Sequence, residues 1–261
     1  MIRTLELRRS NARDKWIVPL GSVAIGVMVI VSWAIAASSP LGFVIASPPS
    51  TLRVLWDGLF GPDPFMVPHL EATFAAVAIG YAAAVIVGMG WGIFLGTSWY
   101  WRAVLEPLIL STYSVPKVIL FPVFLMMLGI GLQSAATMAF IHALFPIIVN
   151  VMGGVKEVNP TVVKVGKAFR ASPWTFVTKI YFPAVALSLV VGLRMGFSLS
   201  IIGVVMSELF AAREGLGRLI MERYGVFDIP GIYAPLLLLF AVALTGNLLF
   251  WVLEKRLRSV R

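Results

Sequence analysis

Six apolar runs, near residues 16–38, 67–96, 107–131, 135–155, 184–210 and 235–253, leave this chain very few ways to fold. Each is close to or above the roughly 20 residues that a helix needs to cross a hydrocarbon core of about 30 Å. Inside lipid every backbone group must find its partner within the segment, so runs of this length predict membrane-crossing helices. Only 13% of residues are charged and 59% are apolar, with a mean hydropathy of +0.94, too little polar surface for a soluble globule. The expected fold class is an all-α polytopic membrane protein with six transmembrane helices. A basic N-terminus (1–15), a first crossing (16–38), a core of five crossings (67–253) and a short tail (254–261) leave no room for a separate soluble domain. Ala34-Ile-Ala36 resembles a signal-peptidase site, but the first run exceeds the 7–15 residues of a secretory apolar region and reads as an uncleaved anchor.

Orientation follows from the basic residues. With the N-terminus inside, the inner segments carry Arg3, Arg8, Arg9, Arg13, Lys15, Arg102, Lys156, Lys164, Lys167, Arg170, Lys179, Lys255, Arg256, Arg258 and Arg261. The outer segments carry Arg53, Arg213, Arg218 and Arg223. This asymmetry places both termini and the segment 156–183 in the cytoplasm. It also accounts for the net charge of +9 without a nucleic-acid partner, because the cations are spread over four inner segments.

The crossings differ in character. Gly80, Ala84, Gly88, Gly92 and Gly96 recur every four residues, a small-residue stripe that lets another helix approach closely, within the subunit or between subunits. The third crossing holds Pro107, Pro116 and Pro122 and is expected to break near Ser114-Val-Pro116-Lys117. Lys117 and Arg194 lie deep in their crossings, where a Lys or Arg costs about 2.5–3.5 kcal/mol, so neither should face lipid. Arg194, Ser198, Ile201, Val205 and Glu208 share one helical face. That face either borders a translocation path, with Ser114, Lys117, Arg194, Ser198 and Glu208 as its candidates, or is neutralised within the bundle.

The segment 156–183 is punctuated as two short helices. Asn159-Pro160 caps the first over Thr161 to Ala171, and Ser172-Pro173 ends it and caps a second, Trp174 to Tyr181, before Pro183 opens the fifth crossing. Val162, Val165, Ala168 and Phe169 lie to one side, Lys164, Lys167 and Arg170 to the other. Such an amphipathic segment suits either a partner protein or anionic headgroups.

On these residues the chain resembles the permeases of binding-protein-dependent ABC importers. Lys164-Val165-Gly166, Arg170, Ile180 and Pro183 keep the spacing of their cytoplasmic signature E-A-A-x-x-x-G-x(9)-I-x-x-P. Pro183-Ala184, Gly192-Leu193-Arg194, Gly203-Val204-Val205 through Glu208, and Gly215-Leu216-Gly217-Arg218-Leu219-Ile220 are similar to the nitrate, sulfonate and taurine branch. Earlier pieces agree: Pro48-Pro49-Ser50, Tyr113-Ser-Val-Pro116, Phe121-Pro122, Gly129-Ile-Gly131 and Phe145-Pro146-Ile147 with Asn150. The three best-known positions of the signature are all substituted: its glutamate is Lys164, its second alanine is Gly166 and its glycine is Arg170.

The resemblance implies a type I importer permease fold in a bacterial inner membrane. It also implies a second permease copy, two ATPase subunits that hold the ATP and Mg, and an external solute-binding protein. It casts Lys164, Val165, Gly166, Ala168, Phe169, Arg170, Ala171, Ser172 and Pro173 as a coupling helix in a groove of the ATPase, moving a pore for a small anionic solute. No G-x-x-x-x-G-K-[ST] loop is present, so the chain itself binds no nucleotide cofactor. The outer stretches 39–66, with Trp56 and Phe60, and 211–234 are candidate surfaces for the solute-binding protein or simple interfacial anchors. An ion-coupled carrier would need carboxylates within the membrane, and only Glu71, Glu106 and Glu208, near the ends of crossings, are candidates. A membrane enzyme would need a nucleophile or metal cluster. The chain has no Cys, and His69 and His142 lie far apart in sequence without a ligand cluster.

Overall fold

A computed structural model of the chain describes residues 3–259; Met1, Ile2, Val260 and Arg261, part of the expected basic ends, lie outside the described residues. Among the described residues there is no strand. The first helix, α1 (Arg3–Ser38), continues the first crossing back through the basic head. A 3-10 turn (Pro40–Phe43) leads to α2 (Pro48–Phe60), whose first turn is fixed by Pro48 and Pro49 and capped by Ser47, which accepts from the Ser50 N–H at 3.4 Å. The long α3 (Met66–Thr97) follows.

The break expected in the third crossing is present. Helix α4 (Trp99–Ser114) stops at Val115-Pro116, a 3-10 turn (Lys117–Leu120) intervenes, and α5 (Phe121–Leu128) starts with Pro122 in its first turn. The two halves are bent by 86°. Gly129 (φ 76°) and Gly131 (φ 131°) then take backbone conformations that suit glycine and turn the chain into α6 (Leu132–Lys156).

Beyond α6 come α7 (Pro160–Ala168) and the single turn α8 (Pro173–Thr175). A π turn (Phe176–Tyr181) carries the chain without interruption into α9 (Phe182–Ala211). Pro183 therefore does not open a separate helix. The wider turn, with Phe182 N–H bonded to Val177 O, takes up the proline within one continuous rod from 173 to 211. Helices α10 (Leu216–Gly225) and α11 (Ile229–Ser259) complete the chain. Among the described residues five helices are long and apolar enough to cross a membrane, and the bent pair α4–α5 brings the number to six if it is taken as one span.

The core is a sheet-like trio with α6 in the middle. A Cβ on Gly80 would strike Ala136 O, one on Gly88 would lie 2.8 Å from Ile147, one on Gly92 2.6 Å from Val151, and one on Gly96 would meet Val155. The stripe thus packs α3 on α6 inside the subunit, and its increasing numbers on both helices make the two parallel. On the other flank Gly154 faces Ser188, Gly192 faces Asn150, Gly196 faces Ile147 and Gly203 faces Met138 O, so α9 runs antiparallel to α6. Backbone-close contact on both flanks buries Ala139, Ala143, Ile147 and Val151 almost completely. By contrast α1 buries no residue between Leu20 and Ser38 and is tied near its end, where Trp33 donates to Ala46 O at 2.8 Å and stacks on Tyr233.

Candidate functional site

The connection from α6 to α9 has its ends fixed by local chemistry. Asn159 Oδ1 accepts from the Thr161 N–H at 2.8 Å, and Pro160 occupies the first helical position, where its missing N–H removes nothing. The helix stops at Ala168 and not at Ala171 as the sequence suggested, because Ala171 N–H bonds to Gly166 O and Arg170 N–H to Lys167 O, both at 3.0 Å. This paired closure puts Arg170 in the left-handed region, φ 50°. Ser172 Oγ then accepts from the Thr175 N–H at 3.2 Å and starts the next turn.

Gly166 is the hinge of this elbow. It is buried, and a Cβ there would lie 2.7 Å from Ile180 Cδ1 and 2.9 Å from Phe176 Cζ, so α7 folds back directly on the π turn. The second alanine of the related signature would not fit without displacing those side chains. Everything else on α7 that the sequence singled out faces outward: Val162, Lys164, Val165, Lys167, Ala168 and Arg170 are exposed, as is Phe169 (83%). Trp174 (76%) continues the exposed surface. The base of the elbow is tied by Lys156 Nζ, 3.0 Å from Glu106 Oε1 of α4.

Arg170 holds the position where the signature has glycine, and the left-handed backbone gives the reason glycine suits it. Arg170→Gly relieves a left-handed cost of about 1–2 kcal/mol, offset by glycine's extra chain entropy of about 0.5–1 kcal/mol, and is expected to stabilise the closure by roughly 0.5–1 kcal/mol. Slower amide hydrogen exchange at residues 169–171 in the variant would register it, and unchanged exchange would contradict it.

The five path candidates are not brought together. Ser114 ends α4, its Oγ donating to Leu110 O at 3.0 Å. Lys117, 9% exposed, sits in the bend. Its Nζ donates to Tyr113 O at 2.8 Å and lies 4.9 Å and 5.2 Å from the Tyr113 and Phe145 ring centres, with no carboxylate paired to it among the described residues. Arg194 and Ser198 face α11. Arg194 Nε donates to Asn247 Oδ1 at 3.0 Å, Arg194 Nη1 is 3.6 Å from Glu254 Oε2, and Asn247 Nδ2 donates to Ser198 Oγ at 2.9 Å. Ile201, between them and Glu208, belongs to the buried core.

Glu208 stands at the opposite end of α9 and is 2% exposed. Its carboxylate accepts from Thr73 Oγ1 at 2.8 Å and from the Gly217 N–H at 2.9 Å, while Thr73 Oγ1 accepts from the Leu216 N–H at 2.9 Å. The pair caps α10 from outside, since Gly215 at its start has no side chain to do so. Gly215 has φ 123°, and a Cβ on it would strike the Glu208 carboxyl. His69 Nδ1 lies 3.1 Å from both the N and the O of Gly215. Beside this latch is a cavity of about 320 Å³ bordered by Ala72, Ala76, Gly131, Ala135, Glu208 and Glu214. His69 is hydrogen-bonded within the bundle and, among the described residues, belongs to no metal-ligating cluster, whereas Thr73, Asn247 and the second glycine row are not singled out by the sequence. The spacing of Gly192, Gly196 and Gly203, by four and then seven, and an isolated Asn247 in an apolar run were the signals available.

The model of the family described as binding-protein-dependent transport system inner membrane component matches residues 84–259, more than half of the chain. The chain belongs to that family, and it is a transport subunit of the ABC importer permease class, which works with ATPase and solute-binding partners. It is 28% identical over 235 residues to the formylaminopyrimidine transport permease protein ThiX of Halalkalibacterium halodurans, covering 87% of this chain and 89% of that one. The taurine transport system permease protein TauC of Escherichia coli is 26% identical, over 95% of this chain and 94% of the relative. The nitrate import permease protein NrtB of Synechocystis is 29% identical, over 78% and 76%. Among solved structures, an inward-facing form of the MetNI methionine ABC transporter superposes with a TM-score of 0.64 at 19% identity, covering 75% of this chain and 98% of that chain. That likeness gives the fold: a type I importer permease.

Proposed function

We propose that this chain is the pore-forming subunit of an ATP-driven importer for a small anionic solute in a bacterial inner membrane. Two copies enclose the path, separate ATPase subunits hold ATP and Mg, and both chain ends and α7 face the cytoplasm. The observation that carries this reading is the elbow: a helix braced at both caps and by Gly166, yet leaving Val165, Ala168 and Phe169 uncovered at the end of the central trio. A large aromatic left exposed beside a braced backbone is what a docking surface for another protein requires. Closure of the ATPases would press on α7, and the continuous rod 173–211 would carry that displacement across the membrane and alternate access to the path. Lys117 at the bend, with Ser114, supports an anionic solute. Arg194 has its own partners in α11, and Glu208 acts as a latch bordering the outer cavity.

Phe169→Asp places a charge in the docking surface without touching a buried contact. The variant is expected to insert and fold as the parent does but to lose co-purification of its ATPase subunit. Undiminished co-purification would reject the reading.

A further inference from the structure

Among the described residues the elbow cations Lys164, Lys167 and Arg170 have no counter-charge. No Asp or Glu occurs between Glu157 and Glu208, and among the described residues Lys164, Lys167 and Arg170 make no ion pair. Lys164 and Lys167 stand three apart on α7, a spacing at which like charges on a helix repel, and Arg170 follows just beyond its end. With Gly166 turned inward, the 100° step of the helix points Lys164 and Ala168 directly outward, with Val165 on one flank and Lys167 on the other. A flat headgroup layer below the elbow would reach the basic or the apolar flank. A groove closing on α7 from outside meets both.

Resting on the docking role proposed above, we infer that the groove that receives α7 on the ATPase is acidic along one wall and apolar along the other, with carboxylates facing Lys164 and Lys167. The charge at the coupling contact is thus of the opposite sign to that offered by a glutamate at position 164. An ATPase subunit shaped for such a glutamate would present like charge to this chain, so the lysine pair selects the cognate subunit.

The absence of cysteine in the chain makes the test clean. Ala168→Cys introduces a single thiol on the outward side; alkylated with a maleimide that carries a photoreactive group, it is expected on illumination in nanodiscs to cross-link to the co-expressed ATPase. Lys164→Glu with Lys167→Glu is expected to weaken ATPase binding by about tenfold or more, Lys164→Gln less, and the wild-type affinity is expected to fall as salt is raised. A cross-link that persists while charge reversal leaves affinity unchanged, or tightens it, refutes the acidic wall and leaves the docking role standing. Absence of the cross-link together with unchanged affinity removes both. A charge-reversal effect seen with phosphatidylglycerol in the disc, but lost with phosphatidylcholine alone, assigns the cations to lipid headgroups and also overturns the inference.

Discussion

Gly80→Val is expected to abolish or severely reduce folded protein. The new Cβ would strike the Ala136 carbonyl oxygen and come within 2.9 Å of the Phe140 nitrogen, and backbone atoms of a neighbouring buried helix cannot swing aside as a flexible side chain would. Overpacking of this kind costs about 1–3 kcal/mol and more where the neighbour is rigid. In fluorescence-detected thermal unfolding in detergent, a loss of about 3 kcal/mol lowers the midpoint by roughly 6–12 °C for a chain of this size. Gly90, on the same helix, is the control: it is exposed and has nothing within 4 Å of the position of a Cβ, so Gly90→Val is expected to unfold as the parent does. Equal midpoints for the two variants would mean that α3 and α6 are not in the close contact described above.

Glu208→Ala is the second large effect, and it acts on one end of the molecule. The substitution leaves the Gly217 N–H without an acceptor, and the buried Thr73 hydroxyl must turn to His69 O, 3.1 Å away. Each buried donor left unpaired costs about 1–3 kcal/mol, to which the emptied volume adds. The start of α10 then keeps the Leu216 N–H bond to Thr73 Oγ1 and the His69 contact with Gly215, beside the packing of Leu216, Leu219 and Ile220, but loses its carboxylate cap. Limited proteolysis is expected to cut near 212–216 in Glu208→Ala well before the parent is cut. Glu208→Gln keeps one acceptor oxygen and should fall between the two. Gly215→Ala, which drives a methyl group into the carboxyl, should resemble Glu208→Ala although it removes no hydrogen-bonding group. Wild-type cleavage kinetics in both Glu208→Ala and Gly215→Ala would dismiss the latch.

The parts of this architecture that were legible in advance are those written in local chemistry. Apolar length located the crossings, Pro116 located the bend, and Asn159-Pro160 and Ser172 located the caps of the elbow, because each acts on its own stretch of backbone. Residue preference puts the end of α7 three residues late, since the closure depends on a left-handed Arg170 that such preference argues against. What sequence periodicity could not supply was partnership. Arg194, Ser198 and Glu208 share a helical face, and a common face suggests a common role. The groups they meet are side chains of α11 in one case, and a side chain of α3 with a backbone N–H of α10 in the other. A one-dimensional pattern records which residues point the same way and is silent about which neighbour stands there. The Gly80 stripe was open to two readings for the same reason, and the facing Ala136, Ile147 and Val151 decide it.

The two glycine rows that clamp α6 have a mechanical consequence. Helices separated by long side chains can slip as rotamers exchange, whereas helices in near backbone contact have no such soft layer between them. Twenty-five residues of α helix span about 37 Å, so α6 with its neighbours forms a beam nearly as long as the bilayer is thick. A displacement applied at the end of α6 beside α7 would reach the Glu208 cavity at its other end with little lost to internal give. Compliance is left to the members outside the beam, namely the elbowed α4–α5 pair and the lightly seated α1 and α11.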